Sequence, residues 1–122
     1  MDLSDWQDTR ERSNHAIISA SGSDTTLVAA VTGKKIVVVS LFLYLDGDSA
    51  LRFESGTGGT ALTGVMQFYA QQGQAIDPGS STANLILPFH PMGWMETGIG
   101  ELLNLEMSNG ALASGALQYV LE

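Results

Sequence analysis

Ten consecutive residues, IVVVSLFLYL from Ile36 to Leu45, contain a single small polar side chain, Ser40, and the hydroxyl of Tyr44. Val, Ile, Phe and Tyr dominate the run, GKK precedes it and DGD follows it, so it reads as one long strand. A membrane-spanning helix needs about 20 apolar residues, so the run is too short to cross a bilayer in that form. It also lacks the polar alternation of a strand with one wet face. In an antiparallel sheet such a strand must have its second face covered as well. In so small a domain, another subunit is the expected cover.

The rest of the chain repeats the strand signal in shorter pieces. HAIISA, TLVAAV, ALRFES, VMQFYAQ, ANLILPF, ELLNLEM and GALQYVLE are all of strand length, and SGSD, TG, DGD, SGTGG, PGSS and SNGALAS punctuate them as turns. Leu103, Leu105 and Met107 alternate with Leu102, Asn104 and Glu106, as Leu51 and Phe53 do with Arg52 and Glu54. The cadence of roughly eight strands predicts an all-β antiparallel sandwich or jelly roll. Residues 61–72 compete for helix, because Leu62, Val65, Met66 and Tyr69 fall near a 3.6-residue period. The DGDS segment, Asp46 to Ser49, reads as a hairpin turn. With 122 residues the chain has room for one domain, placed at 14–122. Residues 1–13 stand apart as an acidic arm with one large apolar side chain, Trp6. There Ser4 and Gln7 have the spacing of a capping box, so a short helical turn is the alternative to an irregular arm.

Charge removes several function classes. Thirteen acids against five bases give a formal net charge of −8, and Arg52 is the last basic residue. Nucleic-acid phosphates and anionic membranes both call for clustered cations, so neither is an expected partner. The absence of cysteine removes disulfides, thiolate catalysis and Cys-based metal sites. The acidic N-terminus has no apolar core of the signal-peptide kind.

The motifs that imitate chemistry each fail on context. ESGTGGTALTG, Glu54 to Gly64, has the Gly56–Gly58–Ala61 spacing of a dinucleotide fingerprint. That motif needs a strand–loop–helix inside alternating βα units, which are missing here, so the stretch is expected to be a glycine-rich loop between strands. DGDS lacks the later acids of a calcium loop. His90, in LPFHPMGWMETG, has Glu96 nearby but no third metal ligand and no nucleophile elbow, and is read as part of a rigid loop. Glu96 and Glu101 form a nominal acid–base pair that sequence alone does not bring together. No catalytic, metal or cofactor-binding residue is assigned, no cofactor is expected, and the chain is read as a non-enzyme.

From residue 26 to 122 the chain resembles small β-sandwich virion proteins of tailed bacteriophages, of the capsid decoration (cement) type. The resemblance rests on the GKKI turn, the ESGTGGTALTG loop, LPFHPMGWMET followed by GELLNLEMS, and the closing GALQYV. It implies a structural protein, made in the host cytoplasm, that binds the major capsid protein on the outer surface of the virion. It also implies a homo-oligomer, commonly a trimer, that stabilises the shell through many modest contacts. Within that expectation Trp6, Arg10 and Arg12 of the arm are the candidate contacts to the capsid or a neighbouring subunit. Met92, Trp94 and Met95 suit a subunit interface. The alternative is a carbohydrate- or receptor-binding jelly-roll module of a virion fibre or tail, with Trp94 and Tyr69 as stacking platforms.

Overall fold

The computed structural model describes residues 3–69, 83–108 and 111–122. Among the described residues one helix, α1 (Leu3–Arg12), precedes ten strands. The eight anticipated strands are β1 (Asn14–Ala20), β2 (Asp24–Val28), β3 (Ile36–Leu45), β4 (Ser49–Ser55), β6 (Met66–Phe68), β7 (Ala83–Leu87), β9 (Leu103–Met107) and β10 (Ala113–Leu121). Two short ones, β5 (Thr60–Ala61) and β8 (Met95–Glu96), complete the set.

The strands form two antiparallel sheets packed into a sandwich. Sheet A runs β1-β10-β3-β7, with β8 also on β3, and sheet B runs β2-β9-β4-β5, with β6 also on β4. The chain changes sheets between β1 and β2, β2 and β3, β3 and β4, β6 and β7, β8 and β9, and β9 and β10. The core lies between the layers: Ile18, Leu41, Leu43, Leu45 and Leu117 from sheet A meet Leu51, Phe53, Leu103, Leu105 and Met107 from sheet B. Each of these is at most 2% exposed, the packed interior that period-two alternation demands.

Two expectations are corrected, and the open choice between strand and helix at 61–72 falls to strand within the described residues. The DGDS segment is not a hairpin, because β3 and β4 lie in different sheets and the turn carries the chain across the sandwich. Asp46 anchors that crossing: its Oδ1 accepts from the Leu112 amide at 2.7 Å and its own amide donates to the Leu112 carbonyl at 3.1 Å. Helix does not form where 61–72 competed for it within the described residues, which hold β5, a bend and β6; positions 70–72 lie outside the described residues. Pairing of Ser49 to Leu51 with Met66 to Phe68 recruits that segment as a short strand and overrides its local period.

The second correction concerns β3. Its register against β10 slips between Gln118 and Tyr119, so Ser40 opposes Gln118 while Val38 opposes Tyr119. Through this bulge Val38 and Leu41 both reach the main core, and Val37 and Val39 face outward. Val37 and Val39 are nevertheless buried, in a second cluster with Val120 against which Phe89 packs. The cover over this half of the strand comes from the chain itself. Farther along, the outward side chains Phe42 and Tyr44 remain about half exposed, at 49% and 48%.

The ESGTGGTALTG stretch is the expected loop between strands. β4 pairs with β5 through Glu54–Ala61 and Ser55–Thr60. Gly56 and Gly58 take φ of 80° and 67°, and a Cβ on Gly59 would run into the Ser55 carbonyl. Its glycines answer to backbone geometry.

Candidate functional site

The arm that the sequence sets apart is a three-turn helix. Ser4 lies inside it rather than at its cap, and Ser13 closes it by donating from its amide and hydroxyl to the Arg10 carbonyl, at 3.2 and 2.8 Å. The helix is polar overall and has little apolar surface of its own, so tertiary contact must hold it. Thr9 is buried, and the Trp6 ring lies 5.4 Å from Phe89 and 5.7 Å from His90. His90 in turn meets Trp94 edge-on at 6.4 Å.

The 88–97 loop that receives the helix is fastened along β3. His90 donates from its amide to the Val39 carbonyl at 2.9 Å, Trp94 to Val38 at 2.7 Å and Thr97 to Ile36 at 2.9 Å. Trp94 Nε1 donates to the Pro88 carbonyl at 2.7 Å, and His90 Nδ1 accepts from the Met92 amide at 3.1 Å. The two prolines and these bonds leave His90 as a fixed part of the loop, as its sequence context implies. Below the loop, Lys35 Nζ pairs with Glu96 at 2.9 Å, and that hydrogen bond and charge raise the Lys35 pKa above its ordinary value.

The two groups of contact residues proposed from sequence therefore meet. Trp6 on α1 and Trp94 on the loop flank the same histidine, and Met92 stands beside them, 72% exposed. Arg10 is exposed on the helix, and Arg12 reaches Asp8 one turn back at 3.2 Å in a solvated pair of little energetic weight. Met95 is different: it packs against the main core from β8. A hollow bounded by Asp8, Thr9, Arg12, Lys35, Met92 and Glu96 lies between the helix and the loop.

Sequence reasoning missed a second polar cluster, on the outward face of sheet B. The register places Asp24, Glu106 and Arg52 in one cross-strand row and Thr26, Asn104 and Glu54 in the next. Carboxylate oxygens of Asp24, Glu54 and Glu106 come within 4.8 Å of one another, a donor set that could hold a hard cation. Arg52 already stands among them, 2.9 Å from Glu54 and 3.1 Å from Glu106. Asn104 Nδ2 donates to Asp24 at 3.0 Å and to Glu54 at 2.8 Å. Glu54 and Asn104 are fully buried, so this network balances a buried carboxylate with an internal cation. The alternating register of three strands was its only sequence signal.

The remaining acids proposed as a pair have separate partners. Glu96 is held by Lys35, and Glu101 accepts from the buried Ser55 hydroxyl at 2.8 Å while Ser55 Oγ accepts from the Gly98 amide at 2.9 Å. This arrangement ties the 97–101 turn to β4 and accounts for the Ser55 hydroxyl structurally.

No family model matches the chain, and no curated protein is significantly similar to it.

Proposed function

We propose that this chain is a structural protein of a phage virion, a decoration protein that binds the outer capsid surface as an oligomer and stabilises the shell. The observation that carries the reading is the aromatic surface where the arm meets the loop. Exposed Trp6, Trp94 and Met92 cluster around the half-buried His90, and Arg12 lines the hollow beside Met92. Aromatic, Met and Arg side chains are enriched at protein contacts, and they favour a large partner surface over a small ligand. The major capsid protein is the proposed partner. Each copy would bind modestly, and an oligomer on a repeating lattice would hold on by avidity.

The sequence likeness to small phage β-sandwich proteins supports the same reading, as does the net charge of −8, which disfavours nucleic acid. The competing role, a carbohydrate- or receptor-binding module, draws on the exposure of Trp94 and Tyr69, at 46% and 70%. Tyr69 follows β6 in sheet B and Trp94 lies beside β3 in sheet A, so the two belong to different layers.

Undecorated capsids incubated with the purified protein provide the test. Saturable binding at a fixed stoichiometry, reduced at least about tenfold in affinity by the combined W6A and M92S changes, is the expected result. Retention on a glycan array that is lost in W94A, with no capsid binding, would replace decoration by the carbohydrate reading.

A further inference from the structure

The outward face of sheet A is divided. Helix α1 and the 88–97 loop stand over one end, and among the described residues the other end carries no cover. On the bare end, cross-strand registers align Ile17, Ala116, Phe42 and Ile86 in a single row across four strands. Ile17 and Ile86 are 75% and 61% exposed, and Phe42 between them is 49% exposed. The rows on either side carry only Ser, Asn, Gln, His and Tyr. Among the described residues, then, three adjacent rows contain no Asp, Glu, Lys or Arg, in a chain whose net charge is −8.

We infer that this face is where copies of the chain associate with one another. The inference rests on the oligomeric part of the function proposed above. Charge selects the occupant. Two copies repel each other over most of their surfaces, and this neutral face is where they can approach without bringing like charges together. A basic partner would be drawn to the acidic surface elsewhere. The row also suits self-association in form, with an isoleucine at each end and an aromatic ring in the middle. A hollow of about 320 Å³ beside Phe42, floored by Ala116 and flanked by Ser40 and Gln118, offers a place for a protruding side chain of the next copy. A strand that is apolar on both faces then has an explanation at each end: the chain covers Val37 and Val39, and a second copy covers Phe42 and Tyr44.

Light scattering coupled to size exclusion, on the full chain from about 1 to about 100 µM, spans dissociation constants in the micromolar range and reads the proposal directly. The wild type is expected to be a homo-oligomer. F42E and, separately, I86E are expected to raise the association midpoint at least about tenfold while circular dichroism stays native. Ile86 lies on an outer strand, so I86E keeps the test valid if F42E disturbs folding. Salt should strengthen self-association by screening the repulsion between copies. An oligomer unaffected by either substitution would overturn this surface but leave the oligomeric reading standing. A wild-type monomer at 100 µM would overturn self-association outright, and loss of capsid binding by an F42E that stays as oligomeric as the wild type would assign the face to the capsid protein. Capsid binding measured on the same samples decides the proposed function independently.

Discussion

The two sheets of this sandwich share one core but end in opposite surfaces. Outward from sheet A stand Ile17, Phe42 and Ile86, uncharged and exposed; outward from sheet B stand the charged Asp24, Arg52, Glu54 and Glu106 around a neutral Asn104, with Glu54 and Asn104 fully buried. The difference lies in what each face still lacks. The carboxylates of sheet B are tied together within the chain, Arg52 pairing with Glu54 and Glu106 and Asn104 donating to Asp24 and Glu54. Among the described residues the apolar row of sheet A has no cover, and a second surface laid on it would remove it from water.

Substitutions that break this contrast differ widely in expected effect. The largest belongs to sheet B. Arg52→Ala leaves Glu54, fully buried, without its cation, and should lower unfolding stability by about 3 kcal/mol in urea denaturation. Adding Glu54→Gln should restore much of the loss, because the uncompensated charge is then gone. A loss below about 1 kcal/mol for Arg52→Ala would show that solvent already screens the pair.

Next comes the covered end of sheet A. Trp6→Ala removes the ring that joins α1 to Phe89 and His90, and should cost about 1–2 kcal/mol. Hydrogen exchange should rise throughout α1, with β3 and β10 still protected. Equal deprotection of β3 would mean that the helix is integral to the sheet's stability.

The bare end should behave differently. Ile17→Ser removes an exposed side chain, so under dilute, monomeric conditions stability should shift by no more than about 0.5 kcal/mol. A larger loss in dilute solution would mean that the row is already packed within one chain.

The smallest effect concerns pH. Lys35 has a raised pKa in the folded protein because Glu96 holds its charged form. Its contribution is therefore fully present below the ordinary lysine pKa and disappears as pH rises through the raised value. Lys35→Met should flatten stability against pH only in that alkaline window; flattening near neutrality would point to another group.

Legibility in the sequence followed the range of the interactions. Alternation is local, so Leu103, Leu105 and Met107 marked β9, and the glycines of 56–59 marked a turn whose backbone only they accept. Partner choice is not local. Nothing near Glu54 announces Asn104, and nothing near Asp46 reveals that its turn crosses between layers rather than folding back. The arm and the 88–97 loop were each recognised as unusual, but their meeting through Trp6 and His90 depends on the order of strands in sheet A.

By itself, then, the sequence determined the strand content, the all-β class, the turn positions and the exclusion of thiol chemistry, because residue type and period-two spacing act within a few residues. The tertiary structure decided which face each residue of β3 presents. The slip at Gln118–Tyr119 exists only once β10 is paired with β3, and it turns Val37 and Val39 toward the helix-covered end. It also decided that the apolar run is covered at one end and bare at the other. That division depends on where a helix from the start of the chain comes to rest, and hydrophobicity has no direction until packing supplies one.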